Sequence, residues 1–526
     1  MAREPEHPPS PRPAPAGPDA PLDRWIEQEC RFAAAAMLRL VSASGFACDR
    51  PAFGQHIVPV KGSVLAAPPA IQQGDPDYTF HWLRDSALIM DAVRVLAETG
   101  ALGEEAAELF DDFVGFSLAT SRLSGPAFLA ELRAIRRRTD PAFLQYVRPD
   151  DDLVALVGDR LRGEVRFNPD GTLDITRWGR PQNDGPALRA LALLRWMDGA
   201  PGRASKAIAE LLIGDLDYVA AHWHEPCYDI WEEEKGLHYY THLLQRTALA
   251  RGALWRESAG DRPRAERYGI VVRELGRALD AYWSRARGLY RSRRQVTAGD
   301  PARELDIATI LAVVHADLPA GAHSILDPRV HATLARLEDF FATELAINAG
   351  LPPAAAPAVG RYPGDVYFAG GAYYFATLGV AEFHYRLAAA IRAGRTVRLN
   401  AGNRPFFSRF LVDLDLSGRR LPADGGSRDA AAAALADRGD ALVALLRGFT
   451  PASGELSEQL DRQDGHQTSA KNLGWSYAAF ITAAAVRARA GRPTGVMGPG
   501  RGPRSGARDV PIVDVDQVRH GSDRLG

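Results

Sequence analysis

Helical periodicity runs through almost the whole chain, and alternating strand patterns are scarce. Segments rich in Ala, Leu and Arg place apolar residues near the 3.6-residue spacing of an α-helix. The predicted helices are 24–42, 86–99, 185–197, 206–221, 239–259, 264–285 and 372–393. No fixed sequence period relates them, which argues against a solenoid of short repeats. The pattern therefore predicts an all-α protein built as a closed toroid of helix pairs.

The chain divides into one long body and two terminal tails. Residues 1–22 and 491–526 are rich in Pro, Gly and Arg and show weak apolar periodicity, so we predict that both are disordered. No linker-like segment interrupts residues 23–490. We therefore expect a single domain over that range.

Composition argues against several classes of partner. The 63 Lys and Arg residues nearly balance the 65 Asp and Glu residues, so no strong field favours nucleic acid or an anionic membrane. No apolar stretch is long enough to span a bilayer, and the N-terminus lacks the apolar run of a secretory signal. We expect a cytoplasmic protein with a neutral partner, and a monomer. Cys30, Cys48 and Cys227 show no paired metal spacing and are expected to be buried thiols.

Chemically rich segments fall between the predicted helices, at 75–82, 167–184, 359–371 and 450–474. Loops on a rigid scaffold are where sites are commonly built. In the first segment and just after it, Arg84 and Asp85 follow two aromatic residues, Tyr78 and Trp82. Such a group can hold sugar hydroxyls by charge-assisted hydrogen bonds while a ring packs on the sugar face. Taken alone, an ion pair at a helix start is the stronger interpretation.

Two further features point to carboxylate chemistry. Glu232 begins a run of three acids that is flanked by aromatic and aliphatic residues, so we expect a poorly hydrated carboxyl group held protonated for proton donation. Asp229 could approach the same site. Glu458 lies in a polar loop bounded by glycines, where it would stay ionised and could activate water, although a plain surface acid fits as well. Paired carboxylates are the standard equipment for breaking a glycosidic bond.

In sequence order, these segments resemble the glucoamylases, family 15 of the glycoside hydrolases, and especially the fungal type. The resemblance covers about residues 50–485. The matching motifs lie at 76–78 with 82–86, at 178–189, at 228–233, at 360–365, and at 456–459 with 464–465 and 475–479. One such motif would be weak support, but five in the family's order are strong support.

The resemblance implies an (α/α)6 barrel of inner and outer helices, with a pocket formed by loops at one end. It also implies inverting hydrolysis, with Glu232 as general acid and Glu458 as general base. In such enzymes a water molecule fits between carboxyl groups that are about 6.5–9.5 Å apart. Asp229 ranks below Glu458 as a base, because three residues from Glu232 it is better placed to tune the acid.

The resemblance further implies a set of sugar-binding side chains: Tyr78, Trp82, Arg84, Asp85, Trp178, Trp231, Glu233 and Arg361. Arg84 and Asp85 would hold the terminal glucose, and Trp178 would support the acid. Two departures fall where the leaving group would lie. Tyr373 replaces a tryptophan of the family, and Glu234 with Lys235 replaces a less charged pair. The preference between α-1,4 and α-1,6 linkages therefore stays open, with maltodextrin, glycogen ends or isomaltose-type oligosaccharides as candidate substrates.

Two other functions remain as alternatives. A related enzyme on the same barrel could act on trehalose or isomaltose, and a noncatalytic sugar-binding or regulatory protein could keep the fold, since fold alone does not establish function. No cofactor or metal is expected. His238 and His242 have the i, i+4 spacing of a zinc site, but the segment between them lacks the glutamate of the His-Glu-x-x-His motif.

Overall fold

The computed structural model describes residues 21–492, except for positions 71, 73, 201, 297–299, 353, 422 and 423. Of the two predicted tails, only residues 21, 22, 491 and 492 fall within this range, so the rest of that prediction lies outside the described residues. Helix α1 already begins at Leu22. No helix in the described part of the chain is long and apolar enough to cross a membrane.

Helices dominate the described structure, as the sequence predicts. The α-helices are α1 (Leu22–Leu38), α2 (Leu83–Thr99), α3 (Glu105–Ser121), α4 (Gly125–Arg138), α5 (Asp150–Val154), α6 (Gly185–Asp198), α7 (Lys206–His222), α8 (Tyr239–Ser258), α9 (Arg262–Asp280), α10 (Ala308–Ala316), α11 (Pro328–Glu344), α12 (Tyr374–Arg392), α13 (Arg404–Ser408), α14 (Gly425–Phe449) and α15 (Gly474–Arg489). All seven helices predicted from periodicity are present, with small differences at their ends.

Six of these helices form a closed inner ring. Helix α2 packs on α6, α6 on α8, α8 on α10, α10 on α12, α12 on α15, and α15 returns to α2. Helices α1, α3, α7, α9, α11 and α14 pack outside this ring. Burial separates the two layers, since α12 buries 15 of its 19 residues whereas α9 buries only 5 of 19. This arrangement is the (α/α)6 barrel that the resemblance implied.

Short antiparallel strands tie the loops together. They are β1 (Cys48–Arg50), β2 (Gln55–Ile57), β3 (His81–Trp82), β4 (Arg166–Phe167), β5 (Cys227–Tyr228), β6 (Lys235–His238), β7 (Trp283–Ser284), β8 (Leu289–Tyr290), β9 (Arg293–Arg294), β10 (Ala372–Tyr373), β11 (Gln459–Leu460) and β12 (Gln467–Thr468). Strand β3 pairs with β4, β6 joins β5 to β9, and β11 joins β10 to β12. Strands β3, β6 and β10 each run directly into an inner helix.

The barrel topology gathers the chemically rich loops at one end. Each inner helix is followed by a return through the outer layer, so the six inner helices point the same way and their N-termini lie together. The segments 75–82, 167–184, 359–371 and 450–474 lead into α2, α6, α12 and α15. Their prediction as loops before helices is confirmed. Cys30, Cys48 and Cys227 are free and buried, also as predicted.

Candidate active site

Glu232 sits in a tight turn that leads into β6. Its backbone N–H donates to the carbonyl of Asp229 over 3.0 Å, and its φ of 66° lies in the left-handed region that non-glycine residues rarely adopt. Oδ1 of Asp229 accepts the backbone N–H groups of Glu233 and Glu234 at 2.8 and 3.0 Å. Such an unusual backbone persists only where its surroundings impose it. Asp229, predicted as a third catalytic carboxylate, thus holds the turn that aims Glu232.

Three N–H donors surround the Glu232 carboxylate. Trp82 Nε1 donates to Oε1 over 2.7 Å, and Arg84 Nη2 donates to the same oxygen over 3.1 Å. Trp178 Nε1 donates to Oε2 at close range. The sequence led us to expect a poorly hydrated group here, and the side chain is only 14% exposed. The sequence did not predict the three N–H donors that surround the carboxylate.

The Glu458 carboxyl group is less hydrated than the sequence led us to expect. Its backbone is fixed between Ala470 and Tyr374, since Glu458 N donates to Ala470 O over 2.8 Å and Tyr374 N donates to Glu458 O over 3.1 Å. Burial raises the pKa of its carboxyl group to about 7, against the hydrogen bond donated by Ser469 Oγ. The loop is polar in sequence but folds against the barrel, so the prediction of a well-hydrated carboxylate is wrong.

Tyr78 connects the two carboxyl groups. Its hydroxyl lies 2.7 Å from that of Tyr367, and its ring centroid lies 5.3 Å from that of Trp82. Burial chiefly raises the pKa of Tyr78 well above its usual value, and the negative charges of Glu458 and Glu232 add to the effect. Glu232 also raises the pKa of Glu458. The two acids and Tyr78 therefore act on one another and belong to one site.

Arg84 and Asp85 form the buried base of this pocket, each with a relative exposure of 6%. They open α2, and Arg84 Nε lies 3.6 Å from Asp85 Oδ2, so the predicted helix-start ion pair is present. The guanidinium also reaches Glu232, Asp184 at 3.2 Å and Gln182 at 2.8 Å. The Arg84 guanidinium therefore also links Glu232 to the loop that contains Gln182 and Asp184. Burial raises the pKa of Asp85 to about 6, partly offset by Arg84.

Comparison with known proteins agrees with this geometry. The family model described as glycosyl hydrolases family 15 matches residues 137–485. The chain belongs to glycoside hydrolase family 15. Glucoamylase 1 of Rhizopus oryzae is 28% identical over 481 residues, covering 89% of this chain and 72% of that protein. The glucoamylase of Blastobotrys adeninivorans is 29% identical over 452 residues, covering 81% of this chain and 67% of that protein.

Solved structures give the same result for the fold. The family 15 glucoamylase from Hypocrea jecorina matches with a TM-score of 0.75 and 27% identity, covering 90% of this chain and 74% of that one. The glucoamylase from Saccharomycopsis fibuligera matches with a TM-score of 0.74 and 23% identity, covering 91% and 97%. This family 15 member is therefore a glycoside hydrolase with an (α/α)6 barrel.

In this family 15 enzyme, Trp178 lies at the open side of the pocket. Its relative exposure is 41%, and the Arg166 guanidinium carbon lies 3.8 Å from its ring centroid. Arg166 is held by Asp174 at 2.9 Å. The ring is thus fixed from one side while the other side remains accessible. This placement agrees with the prediction that Trp178 supports the acid.

Arg361 and Glu233 form a wall beside the two acids, since Glu233 follows Glu232 in the chain and the charge of Arg361 acts on Glu458. Arg361 Nη2 lies 3.0 Å from Glu233 Oε1, and Arg361 Nε donates to Asp365 over 2.8 Å. Glu233 Oε2 accepts hydrogen bonds from Tyr362 Oη and Arg303 Nη2. The predicted pair therefore belongs to a larger charged cluster beside the acid. Arg303 was missed because no family motif includes it.

Trp231 lies beside this cluster and reaches a second residue that the sequence did not single out. Trp231 Nε1 donates to Oδ2 of Asp306 over 2.9 Å, and Oδ1 of Asp306 accepts the N–H of Ala308 over 2.7 Å at the start of α10. Burial raises the pKa of Asp306 to about 7. Its position just before an inner helix is the signal that could have revealed it.

His238, His242 and Asp184 each make a contact that stabilises the fold. His238 Nε2 lies 3.0 Å from the Cys227 carbonyl oxygen, and His242 Nε2 lies 3.2 Å from the Trp223 carbonyl oxygen. The two Nε2 atoms are therefore directed at different backbone carbonyls. Asp184 is the N-cap residue of α6, but its side chain makes no capping hydrogen bond and instead pairs with Arg84.

Proposed function

We propose that this family 15 enzyme is an exo-acting glucoamylase. It removes β-D-glucose from the non-reducing ends of α-1,4-linked gluco-oligosaccharides or polysaccharides. The observation that carries the proposal is the placement of Glu232 and Glu458 in one pocket whose base is the buried pair Arg84 and Asp85. A pocket closed at its base admits the end of a glucan chain rather than its middle.

The two carboxyl groups have complementary tasks in this reaction. Glu232 donates its proton to the glycosidic oxygen as the bond between that oxygen and C1 breaks, and the bonding electrons leave with the oxygen. A water oxygen forms the new bond to C1 from the opposite face while Glu458 accepts the water proton. Attack from the opposite face inverts the configuration at C1, so an α-glucoside yields β-glucose.

The proton must reside on Glu232 when the reaction begins. In the structure Glu232 accepts a hydrogen bond from Arg84, whereas burial raises the pKa of Glu458 to about 7. Hydroxyl groups of a bound glucose would take hydrogen bonds from Arg84 and so weaken its hold on Glu232. We infer that substrate binding frees Glu232 to donate a proton to the glycosidic oxygen.

The linkage depends on the wall formed by Glu233, Arg361 and Arg303. Arg361 and Arg303 both pair with Glu233, the residue that follows Glu232, and we place the leaving sugar beside them. Tyr373, which replaces a family tryptophan, is fully buried and its hydroxyl accepts a hydrogen bond from Gln459 Nε2 over 2.7 Å. Tyr373 therefore lies behind this wall and does not face the substrate. Cleavage of α-1,6 linkages is a second activity to be measured.

A proton NMR time course tests the proposal. Purified protein is incubated in separate tubes with maltotriose, isomaltotriose and trehalose, and the anomeric signals are followed from the first minutes. We expect β-glucose to appear first from maltotriose, with Glu458→Gln as the inactive control. Early α-glucose would overturn the roles of Glu232 and Glu458. Glucose from trehalose alone would favour the trehalase alternative, and no glucose from any tube would favour a noncatalytic sugar-binding protein.

A further inference from the structure

A second cavity lies inside the barrel, away from the active-site loops. Its volume is about 240 Å³, and all six inner helices contribute to its walls. On α15 the lining runs from Trp475 in the first turn to Arg489 at the last residue. The cavity therefore extends from beneath the active site toward the C-terminal ends of the inner helices. There it meets solvent beside Asp317, whose side chain is 51% exposed.

An aromatic layer separates this cavity, which we call the lower cavity, from the active site. Trp475 and Phe375 line the lower cavity and stack on each other with ring centroids 4.0 Å apart. The guanidinium carbon of Arg84, at the base of the active-site pocket, lies 5.8 Å from the Trp475 ring. Arg84 itself does not line the lower cavity. The two chambers therefore share a wall of Trp475 and Phe375.

Buried ion pairs line the upper and middle parts of the lower cavity. Asp91 accepts hydrogen bonds from Arg94 Nε at 2.7 Å and Arg195 Nη1 at 2.9 Å. Glu382 Oε1 accepts both Nε and Nη2 of Arg386, at 2.8 and 2.6 Å. These side chains are nearly all less than a fifth exposed. Because these residues line the lower cavity, their guanidinium and carboxylate groups are among the polar groups nearest to whatever fills it.

The charges around the lower cavity balance. The lining contains five arginines, at 94, 195, 251, 386 and 489, and four acids, at 91, 98, 317 and 382. Arg251 is also paired with Asp198, which brings the count to five of each sign. Burial lowers the pKa of His315, which also lines the cavity, to about 3, so this ring is neutral. A balanced lining gives no net attraction to an anion or a cation.

We propose that the lower cavity is a binding site for a neutral polyhydroxylated ligand of monosaccharide size. Hydroxyl groups both donate and accept, so they suit alternating guanidinium and carboxylate edges. Trp475 and Phe375, which line one end of the lower cavity, add apolar contacts for the carbon atoms of a sugar ring. At about 30 Å³ per water, the volume corresponds to roughly eight waters, which is room for one pyranose and too little for an oligosaccharide.

Saturation-transfer NMR with D-glucose tests this site. The active site is first filled with an oligosaccharide inhibitor that is too long for the lower cavity, added until maltotriose hydrolysis stops. We expect glucose to keep a saturation-transfer signal under these conditions. In Ala479→Phe, which places a ring in the lower cavity from α15, that signal should fall at least fivefold. Ala479→Ser, which leaves the volume open, is the matched control and should keep it.

A second variant guards against a folding defect. Arg489 lies exposed at the rim and makes no ion pair with another described residue, so Arg489→Ala should fold normally and weaken the glucose signal at least twofold. Complete loss of the signal when the inhibitor is added to the wild-type protein would overturn the proposal. So would stronger binding of inorganic phosphate, followed by 31P NMR, than of glucose.

The inference does not depend on the proposed glucoamylase activity. If maltotriose is not hydrolysed, the comparison of the wild-type protein with Ala479→Phe still reports on the lower cavity. If maltotriose is hydrolysed but Ala479→Phe and Ala479→Ser give equal glucose signals, the lower-cavity site is wrong and the proposed function stands. Ala479→Phe should hydrolyse maltotriose within about twofold of the wild-type rate, because Ala479 lies outside the active-site pocket.

Discussion

Trp82 Nε1 and Glu232 Oε1 lie 2.7 Å apart, although 150 residues separate them in the sequence. Trp82 ends strand β3 just before α2, and Glu232 lies in the turn before β6, which leads into α8. The bond therefore joins loops that precede two different inner helices. Because the barrel sets the positions of both helices, it also sets the orientation of the proposed acid.

Replacing the proposed base should abolish most activity without unfolding the protein. Glu458→Gln keeps the size of the side chain but cannot accept the water proton, and general-base catalysis typically contributes about 10²–10⁴-fold. We expect kcat for maltotriose to fall by at least about a hundredfold, with an unchanged melting temperature. Glu455→Gln, three residues earlier in the same loop, is the control and should keep near-normal kcat. A loss below about threefold in Glu458→Gln would exclude it as the base.

Trp178→Phe tests the support given to the acid from the open side of the pocket. Phenylalanine keeps the ring but removes the N–H that donates to Glu232 Oε2. A hydrogen bond to a charged group contributes about 1.5–3 kcal/mol, and the partial exposure of Trp178 places the effect at the lower end. We expect kcat/KM for maltotriose to fall about tenfold. Trp283→Phe, on strand β7, should leave kcat/KM unchanged; equal effects in both variants would contradict the assignment.

Arg361→Lys tests the wall beside the cleaved bond. The planar guanidinium contacts Asp365 and Glu233 at once, which a lysine ammonium cannot reproduce in the same geometry. We expect KM for maltotriose to rise about tenfold while kcat changes less, since both carboxyl groups remain in place. Steady-state kinetics with maltotriose and isomaltotriose would show which linkage depends more on this wall. A fall in kcat with unchanged KM would instead place Arg361 in the chemical step.

Glu29 gives a prediction about stability and pH. It is 4% exposed on α1, Oε1 has no hydrogen-bond partner among the described residues, and burial raises its pKa from 4.5 to about 8. An acid that ionises more readily when unfolded costs stability as pH rises from about 4.5 to 8. Glu29→Gln should therefore match the wild-type protein at pH 4 and exceed it by a few kcal/mol, on the order of 3, at pH 8.

Melting temperatures between pH 4 and pH 8 would measure this difference. Glu27→Gln, on the same helix with a side chain 29% exposed and paired with Arg31, serves as the control. We expect its effect to be small and nearly independent of pH. A constant offset between Glu29→Gln and the wild-type protein over this range would show that Glu29 does not remain protonated in the folded state.

The sequence predicted the helices and the loops that build the site, because both depend on local patterns. The 3.6-residue spacing located seven helices, and the motif loops at 75–82 and 450–474 lie where expected. Ring closure, by contrast, depends on α15 packing against α2, nearly 400 residues apart in the chain. The absence of a fixed sequence period favoured a closed toroid over a solenoid of short repeats, and the family resemblance supplied the six helix pairs of the barrel.

The sequence failed on the electrostatic surroundings of the two acids. Hydrophobic neighbours of Glu232 suggested a poorly hydrated group, which its 14% exposure supports, but they gave no sign that Arg84, 148 positions away, donates to it. Polar neighbours of Glu458 suggested a hydrated carboxylate, yet its loop packs against the barrel. The hydration of a side chain depends on segments that are distant in the sequence, so it cannot be predicted from the neighbouring residues. For the same reason the roles of Asp306 and Arg303 could not be predicted from their neighbours in the sequence.

The closure of the inner ring by its last helix sets the order in which the site is completed during protein synthesis. Glu232 is translated 226 residues before Glu458, and α15 follows after that. A ribosome that adds roughly 5–20 residues per second needs on the order of ten to forty-five seconds to cover this interval. Throughout that time the nascent chain carries the acid without the base. Hydrolysis therefore begins only after α15, which ends at Arg489, has left the ribosome.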